Sequence, residues 1–193
     1  MKATTFSQSA GIFALLAALS GLLYSISFVI SNNIFYSSLF LMLGGFFTSQ
    51  VYVALFGHLK KINGYFALWA TVLGTVGALG MILHGGYDLA NSVGGTVQTT
   101  NLPSMVDPRG LLSFGVNGMS ILVFSALIRL ETRFPGNLGV LGYLSGILLL
   151  IIYVDRLVLL DPANPLLKYP VLLEGFVINP VWLVWLGAVL RRE

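Results

Sequence analysis

The chain has no cysteine, which removes disulfide staples, thiolate metal sites and cysteine nucleophiles and leaves the redox compartment open. Charge is scarce as well. Only 9% of its 193 residues are Asp, Glu, Lys or Arg, against about 25% in a soluble domain. So few charges cannot cover a water-facing surface, and lipid is the expected solvent and first partner. The net charge of +3 is small and scattered near the ends of apolar runs, which excludes a nucleic-acid partner. No serine-centred nucleophile motif occurs, and the Gly85, Gly86 pair forms no phosphate cradle.

What the chain does have is apolar length. It is 56% hydrophobic with a mean hydropathy of +0.89. A bilayer core needs about 20 mostly apolar residues per helix, and six stretches qualify: roughly 8–30, 34–57, 65–87, 110–130, 138–160 and 170–190. None alternates in the way a transmembrane β-strand must. The first is too long for a signal-peptide core of about 7–15 residues, so it reads as a retained helix. The expected fold is all-α: one polytopic bundle of six transmembrane helices over residues 1–193.

Basic residues orient such a bundle, because they favour the cytoplasmic side. With the N-terminus inside, Lys2, Lys60, Lys61, Arg129, Arg133, Arg191 and Arg192 are cytoplasmic, and Arg109, Arg156 and Lys168 are outside. Both termini are then cytoplasmic, in a multi-pass protein of the cell's inner membrane. The acids lean the other way: Asp88, Asp107, Asp155, Asp161 and Glu174 lie outward, Glu131 and Glu193 inward. The one long connection, 91–109, is Gly- and Thr-rich and joins helices 3 and 4 on the outside. Residues 11–27 and 110–126 share composition alone, so no inverted repeat is read.

Lipid gives helices no hydrophobic reason to associate, so small residues mark the packing faces. Helix 3 places Ala70, Gly74, Gly77, Met81, His84 and Asp88 on one face. Its small residues point that face, and with it His84 and Asp88, into the bundle. Gly74 and Gly77 are therefore read as structural. Pro170 suits the first turn of helix 6. Pro180, inside that span, cannot donate to the carbonyl of Phe176, so a break is expected there with Asn179 beside it.

An ionisable side chain within a span is expensive and is a functional-site candidate by default. His84, Asp88, Asp155, Arg156 and Glu174 all fall in the outer third, and helix 4 adds Ser113, Asn117 and Ser120 in a stripe. Together they predict an outward polar vestibule. Structural readings stand beside the functional one. Asp107 before Pro108 and Asp161 before Pro162 look like helix-start signals. Arg156 can snorkel or pair with Glu174, and His84 can be a satisfied interior histidine.

Of possible cofactors, a bis-histidine haem is excluded, since His58 and His84 lie at opposite ends of their spans, about 30 Å apart. A pigment held by His84 alone stays open, as does a weak metal set of His84 and Asp88 with Asp155 or Glu174. Three functions follow. The first is a non-enzymatic accessory or scaffold subunit, partnered by other membrane subunits or by copies of itself. The second is a binder or transporter of a small molecule, ion or lipid, using the vestibule residues His84, Asp88, Asn117, Asp155, Arg156 and Glu174. The third is an intramembrane metal-dependent hydrolase. The inner half offers only Thr48, Ser49, Gln50, Thr71 and Thr75, which is too dry for a continuous pathway and favours a binder or subunit over a transporter.

Residues 134–192, reading FPGNLGVLGYL…GFVINPVWLVWLGAVLRR, resemble uncharacterised six-helix bacterial membrane proteins grouped as a family of unknown function. The likeness covers the last two helices and the overall length. It implies six spans and a bacterial origin, and it carries over no activity and no site residue. The His84, Asp88 pair lies outside the pattern.

Overall fold

A computed structural model describes residues 6–95, 106–159 and 164–192. Lys2, Asp161, Glu193 and the middle of the 91–109 connection fall outside the described residues. Among these residues there is no strand. The chain forms six helices long and apolar enough to cross a membrane: α1 Phe6–Ile30, α2 Ile34–Leu59, α3 Gly64–Val93, α4 Pro108–Leu130, α5 Gly136–Val158 and α6 Pro165–Leu190. Each runs through charge-poor sequence, where a backbone amide finds no better acceptor than its own helix.

Local chemistry sets the ends. Asn33 and Asn63 cap α2 and α3 by accepting hydrogen bonds from the amides of Tyr36 and Phe66, at 3.1 and 3.2 Å. The start of α6 corrects the reading of Pro170. Asn164 accepts from the Leu166 amide at 3.0 Å, and Pro165 takes the first-turn position. Pro170 sits inside the helix, opposite the Leu166 carbonyl. An Asn-Pro start is the stronger signal because it supplies both the acceptor and the preset φ.

The break expected at Pro180 takes the form of a wide π turn over Glu174–Ile178, in which the Asn179 amide donates to Glu174 O. Skipping one residue absorbs the donor that Pro180 lacks. Two further wide turns occur, at Ile26–Ile30 in α1 and Leu111–Val116 in α4.

The helices form a ring in chain order. Each packs on its sequence neighbours, and α6 closes against α1. Glycine sets how closely they approach. A Cβ on Gly187 would sit 2.7 Å from Gly11 O, and one on Gly11 would sit 2.8 Å from Gly187 O. The α4–α5 seam repeats this, with Gly118 and Gly146 facing each other's carbonyls at 3.0 and 2.9 Å. Along α3, Gly74 lies against Tyr52 and Ser120, and Gly77 against Asn117. The small-residue face thus looks inward.

One end of the ring is filled. Leu55, Leu59, Phe124, Ile128, Leu138, Leu186 and Leu190 are fully buried there. The same end is tied by polar contacts. The Ser7 hydroxyl donates to Leu190 O at 3.1 Å, so it accepts from His58 Nε2 at 3.0 Å. Arg133 binds Glu131 at 3.2 Å and reaches His58 O at 3.4 Å. Outside, large apolar side chains such as Leu19, Phe46, Leu68, Met119, Leu144 and Val184 are exposed on every helix.

The seams generate a test. Gly187→Ala should destabilise the protein by about 1–3 kcal/mol, because backbone has to move. Gly57, with nothing within 4 Å of its Cβ position, should tolerate Ala and gain about 0.5–1 kcal/mol from helix propensity. Thermal unfolding of both variants in the same detergent measures the difference.

Candidate functional site

Beyond the filled end, side chains from all six helices enclose a cavity of about 130 Å³, room for roughly ten waters. Its wall is mostly apolar, including Ala17, Met81, Ile121, Leu149, Ile152 and Leu183. Into that wall are set Tyr24, Tyr52, Asn117, Arg156, Glu174 and Asn179. All three wide turns contribute lining residues: Phe28 and Val29, Ser113 and Phe114, Glu174 and Gly175. A π turn offsets the residues around it from regular helical spacing, which re-aims side chains toward a helix's inner face.

Asn117 anchors the far wall. Its Oδ1 accepts a hydrogen bond from the Tyr52 hydroxyl, whose ring stacks on Phe124 with centroids 5.6 Å apart. Gly74 and Gly77 leave room for this pair, since Cβ atoms there would meet the Tyr52 ring and Asn117 Cβ at 2.5 and 2.8 Å. Ser120, one turn on, donates to Ala70 O at 2.7 Å and belongs to the packing.

Glu174 also lines the cavity and is 3% exposed. Ser145 of α5 donates to its Oε1 at 2.5 Å, and Asn179 Nδ2 donates to the same serine oxygen at 3.4 Å. Oε2 has no hydrogen-bond partner among the described residues. Leaving a buried polar atom unmatched costs about 1–3 kcal/mol, so an oxygen held this way is set to receive a donor.

Arg156 does not pair with Glu174. It lies over the Phe114 ring, 5.3 Å from its centroid. Asp155 points away from its neighbour, as adjacent helical residues must, and is absent from the cavity wall.

His84 and Asp88 also leave the cavity and form a separate cluster with Asp107. His84 Nε2 is 3.2 Å from Asp88, and Nδ1 is 3.7 Å from Asp107, within ion-pair reach. Asp107 is fully buried. Its carboxylate accepts from the Leu112 amide at 2.7 Å and from the Ser113 amide and hydroxyl at 3.1 and 2.6 Å. The helix-start reading of Asp107 therefore holds in a longer register, five and six residues on. Arg109 and Gly110 make that reach possible with left-handed φ values of 57° and 78°. Arg109 in turn donates to Arg156 O and Leu157 O at 3.2 and 2.8 Å, capping α5. Burial works against the charge of Asp107, but His84, the Ser113 hydroxyl and the two amides outweigh it and hold its carboxyl at about 2.

Of the six vestibule residues read from sequence, the cavity gathers Asn117, Arg156 and Glu174, while His84 and Asp88 cluster beside it and Asp155 joins neither group. Sequence reasoning passed over Tyr24, Tyr52 and Ser145. Tyrosines in apolar runs read as core, and nothing in the spacing matched Ser145 to Glu174. No group of three His, Asp or Glu side chains suited to a metal exists among the described residues, so the hydrolase reading lacks its ligand set.

Against known proteins, no family model matches this chain, and neither the curated proteins nor the solved structures give a match. The expected resemblance of residues 134–192 to six-helix bacterial proteins finds no matching family model.

The Asp107 network predicts an acid transition. The folded carboxyl titrates below its ordinary 3.8, so its stabilisation is complete above about pH 4 and is lost as pH falls toward 2. Its size is about 2 kcal/mol. Asp107→Asn should lose that amount at neutral pH and flatten the acid limb, followed by circular dichroism in micelles from pH 7 downward.

Proposed function

We propose that this chain is a multi-pass membrane protein that binds a small, largely apolar molecule in the cavity among its helices. The observation that carries the reading is Glu174: a buried acid with one satisfied oxygen and one unmatched oxygen, in a mostly apolar wall. Ligand sites of this kind combine an apolar enclosure with a few placed polar groups. Here Asn117, Tyr52, Glu174, Asn179 and Arg156 share the lining of one cavity.

Lipid as solvent is supported by the outer surface, where apolar side chains stand exposed on all six helices. An accessory-subunit role would favour one face unlike the rest, and the exposed residues single out none. Lys60, Lys61, Arg129, Arg133, Arg191 and Arg192 at the filled end support a cytoplasmic position for it. The cavity then lies in the outer half of the bilayer. Packed Leu55, Phe124 and Leu186 close it on the inner side, which argues for binding over transport.

Gly21 and Gly44 line the cavity, and their Cβ positions have nothing nearer than 3.9 and 3.8 Å. Leucine at either site should grow into the cavity without breaking a seam. Gly21→Leu and Gly44→Leu should keep the wild-type thermal midpoint yet lose a small molecule that organic extraction of the purified wild-type protein recovers at one equivalent. Retention of that molecule by both variants would falsify the reading.

Orientation is checked separately in a chain with no native cysteine. A membrane-impermeant maleimide applied to intact cells should label Gly94→Cys and spare Lys61→Cys. Labelling of both, or the reverse pattern, would refute the assignment.

A further inference from the structure

We propose that the ligand is an uncharged, hydroxyl-bearing, single-chain amphiphile that passes from the surrounding lipid into the cavity through a gap between α1 and α6. The inference rests on the cavity reading above and adds a ligand class and a route.

The α1–α6 seam is closed over only part of its length. It is tight from Gly11 and Gly187 to Ser25, whose hydroxyl lies 2.3 Å from a Cβ position on Gly175. Past that point the helices part. The wide turn Ile26–Ile30 packs chiefly on α2, and Pro165–Leu173 packs on α5. Phe28 and Val29 from one arm and Val171 from the other line the cavity and are also partly exposed. A rim made of such residues suits lipid better than water. The outward faces agree, with Ile30 and Leu166 each 66% exposed.

Glu174 precedes Gly175 in the chain and lines the same cavity as the rim residues Phe28, Val29 and Val171. Its unmatched Oε2 calls for a donor. Arg156 shares the cavity and disfavours a cationic head, while a buried carboxyl with one open oxygen takes a group that can both donate and accept. An uncharged hydroxyl satisfies both. Room for roughly ten waters accommodates the head and the first part of a chain, and the rest of the chain lies in the gap.

The test uses the full chain in phosphatidylcholine nanodiscs, with dodecan-1-ol as probe, dodecane as the donor-free control and native mass spectrometry as readout. Wild type should carry one dodecan-1-ol and no dodecane. Glu174→Leu should bind the alcohol about tenfold more weakly, the loss of one hydrogen bond. Val29→Cys with Val171→Cys should bind normally until a bismaleimide joins the two thiols, and then lose the adduct. Equal occupancy by dodecane, or no alcohol adduct on wild type, overturns the ligand class. Undiminished binding after bridging overturns the route. The cavity reading is judged apart from both: an alcohol adduct lost in Gly21→Leu but kept in the bridged protein leaves it standing, and an adduct that survives Gly21→Leu removes it.

Discussion

At two seams of the ring a glycine carbonyl presses against a glycine of the neighbouring helix. Gly11 meets Gly187 between α1 and α6, and Gly118 meets Gly146 between α4 and α5. No side chain larger than hydrogen fits between these backbones, so the seams fix the ring's circumference. In lipid, where apolar side chains gain nothing by leaving solvent for one another, such close van der Waals contact is the main adhesive available. With the circumference set, the content of the interior decides what is filled and what is hollow. Leucine and phenylalanine fill one half. The other half is lined by Gly21, Gly44, Ala17 and Ser25, which are too small to meet across it.

The polar groups of the hollow half are expensive where they are. Asn117 and Tyr52 offset their cost by bonding each other. Glu174 does so only in part, through Ser145. An apolar residue of similar size would cost less in stability at that position. The excess cost sits in the wall of the cavity, and this imperfect satisfaction is what the proposed binding site rests on.

Much of this organisation is legible in the sequence, and for identifiable reasons. Apolar runs of bilayer length are long-range signals that survive any local error, so all six helices can be read. The inward face of α3 follows from Gly74 and Gly77 because helical spacing is rigid. Helix starts are less secure: Pro170 competes with Pro165, and only the asparagine before the latter separates them. The wide turns escape a reading at regular 3.6 periodicity, and each shifts the residues beyond it. Asp107 shows a further limit. Its role depends on two left-handed residues, Arg109 and Gly110, that fold its carboxylate back onto α4, a conformation no spacing rule anticipates. Likewise Asp155 and Glu174 look equivalent as lone acids in apolar sequence, and only the packing of α5 against α6 tells them apart.

The ring in chain order also dictates an assembly history. Five helices can pack pairwise as they leave the ribosome, but the joint between α1 and α6 waits for the last span. Until then the glycine edge of α1 and the serine of α5 face lipid unmet, and the hollow has one side missing. The final helix therefore acts as a keystone: it brings the glutamate that completes the polar wall and the glycine that locks the circle in a single step. A partially synthesised chain, stalled before that span, would be an open crescent with a greasy, hydrogen-bond-hungry edge.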